Sequence, residues 1–121
     1  MAYDEALENR INLLWMNEFP DVHRHITVKK MFGGLAYLYR GKMTLGIVGD
    51  SLMARVVSPE FERVMEEEAV RPMDFTGRPM REFIFVDPAG FQTDEALVRW
   101  ARLGLEHAEK QLAKKGSPAS E

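Results

Sequence analysis

The sequence predicts an α+β fold: a two-layer sandwich in which one antiparallel sheet of about five strands carries packed helices. Three observations predict it. Apolar residues recur with a period of two through the middle of the chain and with a helical period at both ends. The links between the central segments are short turns, Arg40-Gly41 and Gly49-Asp50, which force antiparallel neighbours. The strand–helix–strand spacing that builds a parallel doubly wound sheet does not occur.

The elements follow in order. Leu7, Ile11, Leu14 and Trp15 form one apolar stripe and define a first helix. Asp4 is its N-cap, Glu5 suits the positive end of the dipole, and Phe19-Pro20-Asp21 closes it. Thr27 to Phe32 reads as a strand bent at Gly33-Gly34. Leu35, Tyr37 and Tyr39, then Met43, Leu45 and Ile47, then Leu52, Ala54 and Val56 alternate with their neighbours, giving three more strands. Gly49-Asp50 suits a type II′ turn, which takes glycine first. A second helix starts with Ser58 as cap and Pro59 at the first helical position, and buries Phe61, Val64 and Met65. Arg71 to Met80 holds two prolines and a glycine and is expected to be loop. Phe83 to Val86 is a last strand, stopped by Asp87-Pro88. Thr93 caps the longest helix, whose buried face carries Leu97, Trp100, Ala101, Gly104, Ala108 and Leu112. Glu95 with Arg99 and Glu106 with Lys110 are spaced as supporting ion pairs. The order is helix, three or four strands, helix, one or two strands, helix.

The 121 residues suit one domain, 1–115, followed by a flexible tail, 116–121. A formal charge of −3 argues against a nucleic-acid binder working by bulk charge. The absence of cysteine excludes disulfides, thiol nucleophiles and Cys-ligated metals. The acidic N-terminus lacks the pattern of a signal peptide, and no apolar run approaches a bilayer's thickness, so the expected location is the cytoplasm and no membrane contact is expected.

Several short patterns carry chemistry on paper. Gly49-Asp50-Ser51-Leu52 spells a lipase/esterase signature, but the later Asp-x-x-His does not accompany it, and the quartet sits in a turn. Asp21, His23 and His25 have donor types for a metal, yet Arg24 lies among them; no metal site is expected. Gly33-Gly34 lacks both phosphate-loop and dinucleotide spacing. His23, Arg24, His25, Lys29 and Lys30 form a small basic patch near Phe32 and Tyr37, the basis for a nucleic-acid reading that the overall acidity opposes. Arg55 lies mid-strand among apolar neighbours, and Arg71, Asp74 and Arg78 lie in the pinned loop. A guanidinium–carboxylate pair there would fix the loop; the alternative is a notch for an anion or peptide. Of eight methionines, six fall between Met31 and Met80, which suits core filling or an adaptable surface.

Lys30-Met31-Phe32-Gly33-Gly34, then Gly41-Lys42-Met43, then the run from Arg71 to Met80, resemble the N-terminal domain of the TfoX/Sxy family, as do Thr93 to Leu97 and Trp100-Ala101. The resemblance covers about residues 5–112. It implies an α-β(3)-α-β(2)-α sandwich like that of type III secretion chaperones, and a role in controlling natural competence as a co-activator beside a DNA-binding regulator. Full regulators of the family carry a second, C-terminal domain, and this chain stops where that would begin. The resemblance brings no catalytic residues. The reading is therefore a non-enzymatic regulatory module with no cofactor, docking a protein partner, a second copy included, with Arg55, Arg71, Asp74, Arg78 and Lys42 as candidate binding residues. The alternative is a small-ligand or anion-binding protein using Arg55 and the loop from Arg71 to Met80.

Overall fold

The computed structural model describes residues 4–31, 33–72 and 82–116. Helix α1 (Glu5–Glu18) is followed by a single-turn α2 (Pro20–His23) and four strands, β1 (Ile26–Met31), β2 (Gly34–Tyr39), β3 (Lys42–Val48) and β4 (Ser51–Arg55). Helix α3 (Ser58–Val64), strands β5 (Val70–Pro72) and β6 (Phe83–Val86), a 3-10 turn at Pro88–Phe91 and helix α4 (Asp94–Gly116) complete the chain. The expected two-layer α+β architecture is the one observed. All strand pairs are antiparallel, in the order β1-β2-β3-β4-β6-β5.

The sheet has six strands rather than about five. Ile26–Met31 pairs along its whole length with β2, and Val70–Pro72, at the start of the expected loop, pairs with β6. Met73 to Met80, the rest of that expected loop, and Phe32 lie outside the described residues.

Local chemistry explains most boundaries. Asp4 Oδ1 accepts from Ala6 N at 2.9 Å and Leu7 N at 3.3 Å, the expected cap. Arg40 and Gly41 both take positive φ, +51° and +86°, as a type I′ hairpin requires. Gly49 has φ +61° while Asp50 does not share the left-handed region, consistent with the expected type II′ turn. Helix α3 departs from expectation: Val57 holds the N-cap position, its carbonyl accepting from Glu60 N and Phe61 N, so the helix begins at Ser58. Thr93 Oγ1 accepts from Ala96 N and caps α4. Arg99 does not depend on Glu95; its guanidinium forks onto both carboxylate oxygens of Glu67, just past α3, because a bidentate partner outcompetes a single i,i+4 contact.

One face of the sheet is sealed by helices. Leu7, Ile11 and Trp15 of α1, Val64 of α3 and Leu97, Trp100, Ala101 and Leu105 of α4 join Tyr37, Leu45, Ile47, Leu52, Ala54, Ile84 and Val86 in one buried cluster. A smaller cluster, Ala36, Met43 and Met53 with Leu38, Phe83 and Phe85, lies on the opposite face. Two of the six central methionines are thus core fillers on the helix-free side. No helix among the described residues is long and apolar enough to cross a membrane.

Helix α4 approaches the sheet closely at Gly104, where an added Cβ would stand 2.5 Å from the Thr44 carbonyl oxygen. Thr44 is the extra residue where the β2–β3 register shifts, and its buried hydroxyl donates to the Tyr37 carbonyl at 2.9 Å. On propensity alone Gly104→Ala would gain about 1 kcal/mol. Overpacking against backbone costs about 1–3 kcal/mol. Chemical denaturation should therefore show a net loss for Gly104→Ala; a gain would mean that α4 does not touch β3 there.

Candidate functional site

Strand alternation gathers the sequence-flagged arginines on the helix-free face. Arg55 pairs in register with Phe83, and Arg71 with Phe85. Each guanidinium lies over its neighbour's ring: the Arg55 Cζ is 4.6 Å from the Phe83 centroid and the Arg71 Cζ is 5.3 Å from that of Phe85. Two strand spacings and two residues of rise separate the two arginines, roughly 12 Å along the sheet surface.

Their environments differ. Arg71 Nε donates to Asp87 Oδ1 at 3.0 Å, Nη2 lies 2.8 Å from the same oxygen as an ion pair, and Nη2 donates to Ser51 Oγ at 3.1 Å. Its carboxylate partner is thus Asp87, at the end of β6. Arg55 Nε is buried and finds no hydrogen-bond partner among the described residues. Burial pushes the Arg55 guanidinium below its ordinary pKa, and the Glu82 carboxylate pulls it partly back. A guanidinium stacked on a ring presents its donor edge sideways, the geometry that takes a carboxylate or phosphate.

Lys42 does not join them. Its register with Tyr39, which packs on the main core, places it on the helix-bearing face at the opposite end of the strand set. Asp74 and Arg78 lie outside the described residues, and with them the proposed pinning contact. Ser51 opens β4 directly after the turn and accepts its hydrogen bond from Arg71, not from an imidazole. Asp21 and His23 lie on α2, Asp21 is 3.8 Å from Arg24, and the His25 ring meets Tyr39 edge-on at 6.2 Å. Among the described residues, no group of three or more potential ligands is placed to hold a metal.

Sequence reasoning missed one polar pair. His107 on α4 is 1% exposed, and its Nε2 lies 2.8 Å from Glu82 Oε1. Its Nδ1 is buried with no partner among the described residues. Glu82 adopts φ +72°, and its carbonyl accepts from Val56 N. The pair therefore ties the strained entry of β6 to α4 and the end of β4. The signal was present: position 107 follows Trp100 by seven and Gly104 by three, which sets it on the buried face.

The basic patch is split by the fold. Tyr37 is fully buried, so it offers no stacking surface. Lys29 and Lys30 lie exposed on β1, the outermost strand. Among the described residues, three large apolar side chains are notably exposed: Leu13 at 55%, Met16 at 52% and Val28 at 46%. Leu13 edges a groove of about 290 Å³ between α1 and α4, floored by Leu14, Leu97 and Val98.

The family model described as the TfoX N-terminal domain matches residues 19–108. The chain belongs to the TfoX N-terminal domain family. No curated protein and no solved structure matches it. The match is shorter than the expected 5–112: α1 lies before it, although Leu7, Ile11 and Trp15 complete the same core. The TfoX domain's sequence signature acquires physical meaning here. Lys30-Met31 ends β1, and Gly34 opens β2 where an added Cβ would stand 1.8 Å from the Ile47 carbonyl oxygen. Arg71-Pro72 completes β5 and delivers the guanidinium that bonds Asp87.

Glu82→Ala leaves the buried His107 imidazole without its partner. An unsatisfied buried polar group costs about 1–3 kcal/mol. Thermal or chemical unfolding should show a loss of that size, with Glu82→Gln intermediate because an amide still reaches Nε2. Equal stability of all three would remove the pair from the fold's support.

Proposed function

We propose that the chain is a non-enzymatic regulatory module that works by docking a protein partner. Membership of the TfoX N-terminal domain family across the whole sheet carries this reading. The regulatory setting we assign is transcriptional control linked to natural competence, exerted in the cytoplasm. Exposed Leu13 and Met16 support it, since they stand three residues apart on α1 and so share one face, an apolar surface left in water. The serine of the Gly49-Asp50-Ser51-Leu52 run supports it too, because its hydroxyl accepts from the Arg71 guanidinium, while the buried imidazole of His107 is paired with Glu82.

Light scattering on the purified chain and affinity capture from native lysate test the proposal. The expected result is a protein retained in near-stoichiometric amount, or a defined oligomer. A chain that stays monomeric at every concentration and retains no protein contradicts it.

A second reading has its own observation, the half-buried Arg55 with its unbonded Nε. Under it the helix-free face takes an anionic small molecule beside Phe83. A thermal-shift series with phosphate, sulfate, malonate and citrate would then show stabilisation by at least one anion that Arg55→Lys weakens and Arg55→Ala abolishes. Absence of any shift removes this reading.

A further inference from the structure

The partner's chemistry follows from the edge of the sheet, on the docking reading above. β1 ends the strand order, and no described strand pairs with its outer side. The backbone direction is fixed by one bond, His25 O accepting from Arg40 N at 3.1 Å, next to the Ile26–Tyr39 pair. In an antiparallel ladder each residue's N–H and C=O share a direction that alternates along the strand. Thr27, Lys29 and Met31 therefore bond β2, while Ile26, Val28 and Lys30 aim their N–H and C=O outward. Thr27, Val28, Lys29 and Lys30 are all exposed. A row of open donors and acceptors flanked by an exposed Val is a template for strand addition.

We infer that an extended, acidic segment of a partner protein adds to β1 as a seventh strand. Charge selects the occupant. β1 carries Lys29 and Lys30, one on each face, and no carboxylate; His23, Arg24 and His25 lead into it. The patch is basic in a chain whose formal charge is −3. A second copy is a poor fit: antiparallel pairing about Val28 sets the two Lys29 side chains diagonally across one face, and a second β1 supplies no carboxylate to either. A nucleic acid fits less well, since Tyr37 is buried, the His25 ring is engaged with Tyr39, and a phosphate chain cannot match a strand's alternating donors and acceptors. An acidic strand satisfies both requirements, with backbone bonds to Val28 and Lys30 and carboxylates beside the two ammonium groups.

The test uses the full chain and a short synthetic peptide of repeated Glu-Glu-Val, acetylated and amidated, which sets carboxylates on both faces of an extended strand, with a Lys-Lys-Val peptide as control. Binding is read by fluorescence anisotropy and by amide shifts. The Glu-Glu-Val peptide is expected to bind, to shift Val28 and Lys30 amides most, and to weaken with added salt. Lys29→Glu with Lys30→Glu should weaken it about tenfold or more. Val28→Pro removes an N–H that the fold does not use, which an edge strand tolerates, and should also weaken binding about tenfold or more. Unfolding midpoints close to that of the parent chain confirm that both variants are folded. Three results overturn the inference: undiminished binding by Val28→Pro, tighter binding of a single-stranded oligonucleotide that the lysine changes abolish, or a homodimer that Val28→Pro dissolves. If captured protein partners survive all these changes, the docking reading stands and only the β1 edge is excluded.

Discussion

Helix α4 can lie against β3 only because residue 104 has no side chain. The Thr44 carbonyl occupies the space a Cβ would need, and Thr44 is itself the inserted residue of the β2–β3 ladder. This contact seats Trp100 and Leu97 on one face of the sheet, where α1 adds Trp15 to the same cluster. The consequence is an asymmetric molecule. Helices consume one face, and the opposite face and the β1 edge keep their groups for other uses.

The polar groups divide along the same line. Glu82 and His107 face the helices and join β6 to α4. Arg55 and Arg71 face away, each lying on a phenylalanine of β6. Arg71 spends its charge on Asp87 and its hydrogen bond on Ser51, fastening a short edge strand to the sheet. Ion pairs of this half-exposed kind add about 0–1 kcal/mol, so its value is in fixing β5's position more than in stability.

Much of this was legible in the sequence because period-two alternation and turn glycines are local signals. Tyr37, Leu45 and Ala54 announced their own burial, and Asp4 and Thr93 their caps. β5 was hidden because three residues ahead of a proline-rich run carry too little pattern to read as a strand. The strand order was hidden because β6 inserts between β4 and β5, a choice made by long-range packing. Arg55 and Arg71 could be flagged as a guanidinium among apolar neighbours and one in a pinned segment, but their shared face required the register. Asp87 as the partner of Arg71 could not be read, since sixteen residues separate them and only the β5–β6 pairing brings them together. The open edge was hidden for a related reason: a strand's sequence does not reveal whether one side or both will be paired, and Lys29-Lys30 reads equally as a solvated face.

Native-state amide hydrogen exchange on the purified chain tests most directly whether the sheet is built to receive another strand. The expected result is alternation along β1: slow exchange at Thr27 and Lys29, whose amides bond β2, and fast exchange at Val28 and Lys30. Uniformly slow exchange across these four amides would contradict an open edge, and uniformly fast exchange would contradict the pairing of β1 with β2.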